Sequence, residues 1–263
     1  MTDVQSQQDV RKIAINKVGV KNLKHPIVVL DKKNKFQNTV ATINMYADLD
    51  SNLKGTHMSR FIEVFNQYHG NFSMKSFLNM LDHIVEALSA ESAYAEVTFP
   101  YFIEKSAPVS GEKSMMDYTC QYIGEVQRAV SDFYVGIHVP VATVCPCSRD
   151  ISDRGAHNQR GIVRVTLRYK KLFWIEDIIQ LIEGSASSEL FTLLKREDEK
   201  YITERAFDHP RFVEDLVRDV TRKLERDGRF PWFSVEAENF ESIHNHNAYA
   251  YVERGERHLT RLP

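Results

Sequence analysis

The segment VCPCSR at residues 144–149 contains the side chains best suited to chemistry. Cys145 and Cys147 are separated by Pro146 alone. Cysteine pairs that hold one tetrahedral zinc ion usually have two or more residues between them, because both thiolates must reach the metal. One cysteine as a metal ligand, with the other as a nucleophile or acid/base group, therefore suits this spacing better. The alternative is two ordinary cytosolic thiols, since an isolated C-x-C motif is a weak signal.

A polar loop follows these cysteines and ends in the sequence GAHNQRG at residues 155–161. His157 lies 12 positions after Cys145 (157 − 145), and a folded loop could bring both side chains to one ion. A solvated surface histidine is the alternative. Three arginines in the loop would attract phosphate: Arg149, Arg154 and Arg160.

A second polar segment near the C-terminus has the sequence ESIHNH at residues 241–246. His244 and His246 are two positions apart, so they face the same side of an extended chain. Two imidazoles and nearby carboxylates suit metal binding, proton transfer or hydrogen bonds to a purine. An exposed loop between two strands is the alternative. Two glutamates, Glu199 in the run KREDEK and Glu214, have no distinctive sequence surroundings. The sequence alone therefore predicts that both are solvated surface residues.

Hydrophobic periodicity predicts an α+β protein with the order strand–strand–helix–helix–strand–strand, twice. The predicted strands are 27–30, 39–46, 94–103, 116–126, 133–144, 161–169, 232–238 and 246–252. The predicted helices are 58–68, 73–88, 174–183, 187–194 and 210–226, with Ser73 as an N-cap and Pro210 near a first turn. Residues 1–22 are predicted to be a flexible arm before a bimodular catalytic domain, 23–263, with modules 23–128 and 129–263.

Each predicted module has one antiparallel sheet with helices on one face, and this leaves the other face bare. Long strands with unpaired edges also invite further pairing. We therefore expect two sheets side by side and a barrel closed between subunits of a symmetric oligomer. Sites at the seams of such an oligomer would draw residues from more than one chain.

Composition excludes several classes of protein. The formal net charge is −2, from 34 basic and 36 acidic residues, and no basic stripe is present, so nucleic acid is not an expected partner. No apolar stretch approaches the ~18 residues that cross a bilayer, and the polar first residues lack a secretory signal. Three cysteines favour a reducing compartment, with Cys120 a buried thiol, so we expect a cytoplasmic protein. No P-loop and no strand-linked G-x-G-x-x-G motif is present.

Four motifs resemble those of the type IB GTP cyclohydrolase family: LKHPI at 23–27, CPCS at 145–148, GAHNQRG at 155–161 and ESIHNH at 241–246. The resemblance covers nearly the whole chain and implies a tunnelling fold, in which ββααββ modules assemble into barrels, here as a homotetramer. It also implies that GTP and water give 7,8-dihydroneopterin triphosphate and formate, in the first step of folate biosynthesis.

The resemblance implies roles for particular residues. Cys145, His157 and Glu199 would bind one divalent metal ion, either zinc, manganese or iron. Such a metal acts as a Lewis acid and makes water a nucleophile near neutral pH. Cys145, Cys147, His244 and His246 would form the catalytic group. Glu214 or Glu241 would hold the guanine edge, and the triphosphate needs cations, for which Arg149, Arg154, Arg160 and Lys24 are candidates.

Two other functions remain open. A tunnelling-fold nitrile reductase would use Cys145 or Cys147 as a nucleophile with NADPH and without a catalytic metal. A non-enzymatic metal-binding protein would use the C-x-C and H-x-H motifs only to sequester ions. Metal-dependent turnover of GTP separates the cyclohydrolase from both alternatives.

Overall fold

The computed structural model describes residues 4–70, 72–127 and 130–257. Within these residues the chain is a mixed α/β protein. Its strands are β1 (Ile15–Asp31), β2 (Lys35–Leu49), β3 (Ser92–Ser106), β4 (Lys113–Gln127), β5 (Val130–Val144), β6 (Asn158–Arg168), β7 (Ser188–Glu189), β8 (Trp232–Asn239) and β9 (Ala248–Gly255). Its helices are α1 (Met58–Phe65), α2 (Met74–Leu88), α3 (Pro146–Ile151), α4 (Ile175–Glu183), α5 (Arg196–Asp208) and α6 (Val213–Asp227).

The strands form one sheet in the order β1-β2-β3-β4-β5-β6-β8-β9, with the short β7 paired to β5. The pairs β1–β2, β2–β3, β5–β7, β6–β8 and β8–β9 are antiparallel. The predicted α+β class and antiparallel pairing are therefore confirmed, but the strands form one sheet where two were predicted. The sheet ends in β1 and β9, each with one neighbouring strand.

The described residues belong to two compact units. The first contains the described residues within Met1–Pro100, Gln121–Val135 and Arg257–Pro263, and the second contains Tyr101–Cys120 and Gly136–Glu256. In the first unit, α2 begins as the sequence predicts: the backbone N–H of Ser76 donates to Oγ of the N-cap Ser73 over 3.2 Å. The apolar stripe of this helix is buried and consists of Phe77, Met80, Leu81 and Ile84.

In the second unit, the register of β6, β8 and β9 determines which residues meet at one end of the strands. Gly161 on β6 pairs with Asn239 on β8, and Asn239 pairs with Ala248 on β9. A side chain at position 161 would collide with the Asn239 side chain, since an added Cβ would lie 2.5 Å from its Oδ1. The glycine that ends the GAHNQRG motif therefore allows Asn239 to approach the neighbouring strand.

The structure corrects several predicted elements. The helix predicted over 187–194 is wrong, because Ser188 and Glu189 form β7, and the Ser187 hydroxyl accepts a hydrogen bond from Val144 N–H. Helices α3 and α5 were not predicted. Strand β1 begins at Ile15, so residues 15–22 of the proposed arm belong to a strand. Helix α6 begins three residues after Pro210.

Candidate active site

The candidate active site is a cavity of about 190 Å³ in the second unit. It lies where the paired ends of β6, β8 and β9 meet the first turn of α6. The lining residues come from those elements and from the segments that join them: Cys145, Gln159, Arg211, Phe212, Val213, Glu214, Asn239, Glu241 and Ala248. Three predicted site residues, Cys145, Glu214 and Glu241, are thus brought together by the fold.

Backbone hydrogen bonds hold Cys145 beside His157. The Cys145 N–H donates to the His157 carbonyl over 3.1 Å. Ser148 connects the same two residues, since its Oγ donates to the Cys145 carbonyl and accepts from the His157 N–H, each over 3.2 Å. Cys145 is the N-cap of α3, which has Pro146 at its first position, where a missing N–H costs nothing. The loop therefore brings the backbones of Cys145 and His157 together, so that the thiol and the imidazole belong to neighbouring residues in space.

The imidazole of His157 is mostly buried, with 13% of the side chain exposed, and it has three polar neighbours. Its Nδ1 lies 3.0 Å from Oε1 of Gln159, 3.4 Å from Oγ of Ser242 and 4.0 Å from Oε2 of Glu241. The sequence motifs included Gln159 but gave it no role. The imidazole is consequently oriented by contacts to one of its two nitrogens.

The two candidate guanine-binding glutamates reach the cavity from different elements. Glu214 is the second residue of α6, and its side chain is exposed. Glu241 follows β8, and its side chain is only 12% exposed. An acidic residue in a first helical turn lies at the positive end of the helix dipole, which is a favourable position for a negative charge.

Two polar groups of the lining residues are buried without a hydrogen-bond partner in the part of the chain that the structure describes. They are Nε of Arg211 and Oδ1 of Asn239, a residue that is 2% exposed. Neither residue was predicted. The only sequence signals were an arginine two residues before a helix and a polar residue where the apolar alternation of β8 ends. Buried polar groups are normally paired, so these two mark a place where a ligand can supply partners.

The remaining predicted residues do not line the cavity. Glu199 is exposed in the first turn of α5, and Cys147 and Arg160 are also exposed. The guanidinium of Arg149 lies 4.7 Å from the ring centre of Phe207 and 4.0 Å from Oδ1 of Asp208. The run KREDEK predicts a solvated position for Glu199, and Glu199 is exposed.

His244 and His246 lie in the exposed loop between β8 and β9. Their rings are stacked, with centroids 5.1 Å apart and an angle of 19° between the planes. The two imidazoles therefore lie against each other, although residues 242–246 form bends and not the extended chain that the spacing argument assumed. At the end of the loop, Asn247 donates to Oε1 of Glu238 over 2.8 Å. Hydrogen bonds from Asn247 and then Arg164 hold the pKa of Glu238 below its usual value.

Comparison with known proteins identifies the class of protein. A family model described as type I GTP cyclohydrolase folE2 matches residues 1–250. GTP cyclohydrolase FolE2 of Syntrophus aciditrophicus is 58% identical over 254 residues, which cover 97% of this chain and 100% of the relative. That of Geotalea uraniireducens is 54% identical over 257 residues, covering 98% of this chain and 94% of the relative.

The chain belongs to the type I GTP cyclohydrolase folE2 family. The family predicted from the four motifs is therefore confirmed, and with it the GTP cyclohydrolase function. Cys120 is fully buried, as predicted. Among the described residues, no helix is long and apolar enough to cross a membrane.

Solved structures share the fold at low identity. Urate oxidase from Bacillus sp. TB-90 matches with a TM-score of 0.55 and 9% identity, over 92% of this chain and 100% of that one. Uricase from Arthrobacter globiformis matches with a TM-score of 0.51 and 9% identity, over 94% of this chain and 96% of that one. These likenesses concern the fold alone, and they support the predicted tunnelling fold.

Proposed function

We propose that this chain converts GTP and water to 7,8-dihydroneopterin triphosphate and formate, the first step of folate biosynthesis. The observation that carries this proposal is the cavity into which the fold brings Cys145, Glu214 and Glu241. His157 lies next to this cavity, because its carbonyl accepts a hydrogen bond from the Cys145 N–H. Thiol, imidazole and carboxylate groups are the types that metal-assisted hydrolysis and proton transfer require.

Glu214 is the proposed guanine anchor. The guanine edge presents two donors, N1–H and the 2-amino group, and a carboxylate can accept from both in a bidentate, charge-assisted arrangement. The carboxylate of Glu241 already lies 4.0 Å from His157 Nδ1, whereas that of Glu214 is exposed at the cavity. Arg211 and Asn239, with their unpaired buried atoms, would complete the polar lining around the base.

The proposed metal ligands are Cys145, His157 and Glu199. Among the described residues, no group of three or more His, Cys, Asp or Glu side chains is already arranged around one point. A backbone hydrogen bond nevertheless joins Cys145 to His157, and thiolate and imidazole are ligands that zinc, manganese and iron bind. A bound metal would supply Lewis acidity, which makes water a nucleophile at neutral pH.

Cys147, His244 and His246 are the proposed proton-transfer residues. Opening the imidazole ring of the purine, releasing formate and rearranging the ribose each require protons to move. The stacked imidazoles of His244 and His246 place two rings, each with a hydrogen-bond donor and an acceptor nitrogen, in an exposed loop. Such a loop can approach a substrate that enters the cavity beside it.

The proposal includes a cytoplasmic homo-oligomer, expected to be a tetramer. Among the described strands, β1 and β9 each have one neighbour, and their other edges favour association with further copies. In an oligomer, a neighbouring copy would bring Glu199, the histidine loop or phosphate-binding cations, with Arg149 and Arg160 as candidates, towards each cavity. This accounts for predicted site residues that lie outside the cavity of a single chain.

The test is an assay for neopterin fluorescence after oxidation and dephosphorylation of the product, starting from metal-stripped protein and GTP. We expect product only after manganese, zinc or iron is added, and none from Cys145→Ala. His246→Ala should lower the rate about 10²- to 10⁴-fold while still binding metal, the usual range for loss of a proton-transfer group. Absence of neopterin with every metal, from folded oligomeric protein, would contradict the proposal. Reduction of a deazapurine nitrile with NADPH would then be measured.

A further inference from the structure

Gln159 is a buried polar side chain next to the proposed metal ligand His157. It is the second residue of β6 and is 8% exposed. His157 and Gln159 are two positions apart, so in extended chain their side chains point to the same side. Burying an amide is unfavourable unless it is hydrogen-bonded, and the Oε1 of Gln159 meets the imidazole at 3.0 Å.

The chemistry of this hydrogen bond determines where the imidazole carries its proton. An amide oxygen can only accept a hydrogen bond. The Nδ1 atom of His157 must therefore be the donor, so in the neutral ring the proton lies on Nδ1. The lone pair is then on Nε2, the other ring nitrogen, and it is available to a metal.

The neighbours of the same nitrogen make Gln159 the determining partner. Ser242 Oγ lies farther from Nδ1, at 3.4 Å, and a hydroxyl can donate or accept, so it does not select a tautomer. Glu241 Oε2 lies 4.0 Å away, beyond hydrogen-bond distance. Of these three groups of the described chain, Gln159 alone lies within hydrogen-bond distance and can only accept.

We propose that Gln159 is a positioning residue that holds His157 in the Nδ1–H tautomer, with Nε2 directed to a divalent metal. This inference rests on the proposed role of His157 as a ligand. Hydrogen bonds from a ligating histidine to such a partner fix the ring orientation and typically change metal affinity about 10- to 100-fold.

The test measures zinc affinity of the metal-free oligomer by competition with a chromophoric chelator, without GTP. Gln159→Leu removes the acceptor but keeps an apolar side chain of similar size in a buried position. Gln159→Glu keeps an acceptor oxygen at the same reach. Gln67→Leu is the matched control, because Gln67 is an exposed glutamine on another part of the chain. Thermal unfolding in the presence of a chelator checks that each variant folds.

We expect Gln159→Leu to bind zinc about 10- to 100-fold more weakly, while Gln159→Glu and Gln67→Leu stay close to wild type. A merely structural role would not produce rescue by Gln159→Glu. Unchanged affinity in Gln159→Leu, where His157→Ala loses zinc, would overturn this inference and leave the proposed function intact. If wild-type protein binds no zinc, manganese or iron, the ligand role of His157 fails, and both proposals fall with it.

Discussion

Two cavities in the second unit are lined by ionisable residues, and the two differ in how many of the polar groups have hydrogen-bond partners. The first is the candidate active site. The second has a volume of about 280 Å³ and borders a group of polar residues that we call the Lys105 cluster: Lys105, Tyr118, Glu183, Glu189 and Arg205.

In the Lys105 cluster every charge has a partner of opposite sign. The Lys105 ammonium lies 2.8 Å from Glu183, 2.8 Å from Glu189, 2.9 Å from the Leu190 carbonyl and 4.4 Å from the ring centre of Phe191. Tyr118 donates to Glu183 over 2.7 Å, and Arg205 donates to Glu189 over 3.2 Å. The cluster satisfies its own hydrogen-bonding capacity.

The active-site cavity, by contrast, retains the unpaired buried atoms of Arg211 and Asn239 and the exposed carboxylate of Glu214. A fully paired buried network rigidifies a fold, whereas unpaired polar groups carry an energetic cost that a ligand can remove. The comparison therefore assigns a structural role to the Lys105 cluster and substrate binding to the other cavity, although both contain several charged residues.

Glu214→Ala should separate the two regions most clearly. Loss of two charge-assisted hydrogen bonds to guanine, at about 1.5–3 kcal/mol each, predicts a kcat/KM lower by about 10²- to 10⁴-fold. Unfolding free energy should change by less than about 1 kcal/mol, the usual size of a helix-dipole contribution. Glu197→Ala is the matched control, because Glu197 is the second residue of α5 and is exposed. Equal kinetic effects of the two variants would contradict the assignment.

Lys105→Met should have the opposite profile. It leaves Glu183 buried with a single hydroxyl donor, and breaking a buried ion pair in this way typically costs about 3–5 kcal/mol of unfolding free energy. Denaturant unfolding measures that cost, while kcat per folded molecule should stay at the wild-type value. The double variant Lys105→Met/Glu183→Gln removes both charges, and Glu189 keeps Arg205, so it should recover much of the loss. A double variant less stable than the single one would argue against the charge explanation.

Much of this fold could be predicted from sequence, because its strands and most helices have strong periodicity. Helix α2, for example, has a buried stripe and a serine cap. Helix α5 was missed because only Asp198 and Ala206 are buried in it, so it has no apolar stripe. Burial alone raises the pKa of Asp198, but hydrogen bonds from Ser110, Lys195 and Val109 outweigh burial and hold it below its usual value. Ser110 and Val109 are far from Asp198 in sequence, so the sequence around Asp198 gives no sign of these hydrogen bonds.

The candidate site, too, could be predicted only where its residues have a distinctive local sequence. The C-x-C and H-x-H motifs drew attention to Cys145 and the paired histidines, because cysteine and histidine are uncommon and reactive. Asn239 and Arg211 were missed, since an asparagine at a strand end and an arginine before a helix are ordinary surface residues. Their importance comes from burial without partners, which depends on strand register and on the packing of α6.

Tyr118→Phe should weaken the Lys105 cluster without disrupting it. The variant removes one hydrogen bond to a charged acceptor, which is usually worth about 1.5–3 kcal/mol, while Glu183 keeps Lys105. The measurement is again the free energy of unfolding. Tyr201→Phe serves as a control, because that tyrosine is exposed on α5. A loss in Tyr118→Phe no larger than in the control would show that the buried hydroxyl contributes nothing.

The smallest expected effect concerns how the Lys105 cluster responds to pH. Burial raises the pKa of Glu183 above its usual 4.5, although Lys105 and Tyr118 act in the opposite direction. The folded state therefore holds this proton more tightly than the unfolded state, and its contribution to stability is lost as pH rises from 4.5 through the folded-state pKa. For one proton the slope cannot exceed about 1.4 kcal/mol per pH unit.

Comparing unfolding free energies of wild type and Glu183→Gln between pH 4 and pH 7 isolates this contribution, because all other titrating groups are shared. The stability of wild type relative to the variant should fall as pH rises over that interval. A relative stability that instead increases with pH would mean that Lys105 outweighs burial. The ion pair with Lys105 would then lower the pKa of Glu183. In that case the charged Glu183 would stabilise the fold at neutral pH, whereas with a raised pKa the ion pair only offsets the cost of burying the carboxylate.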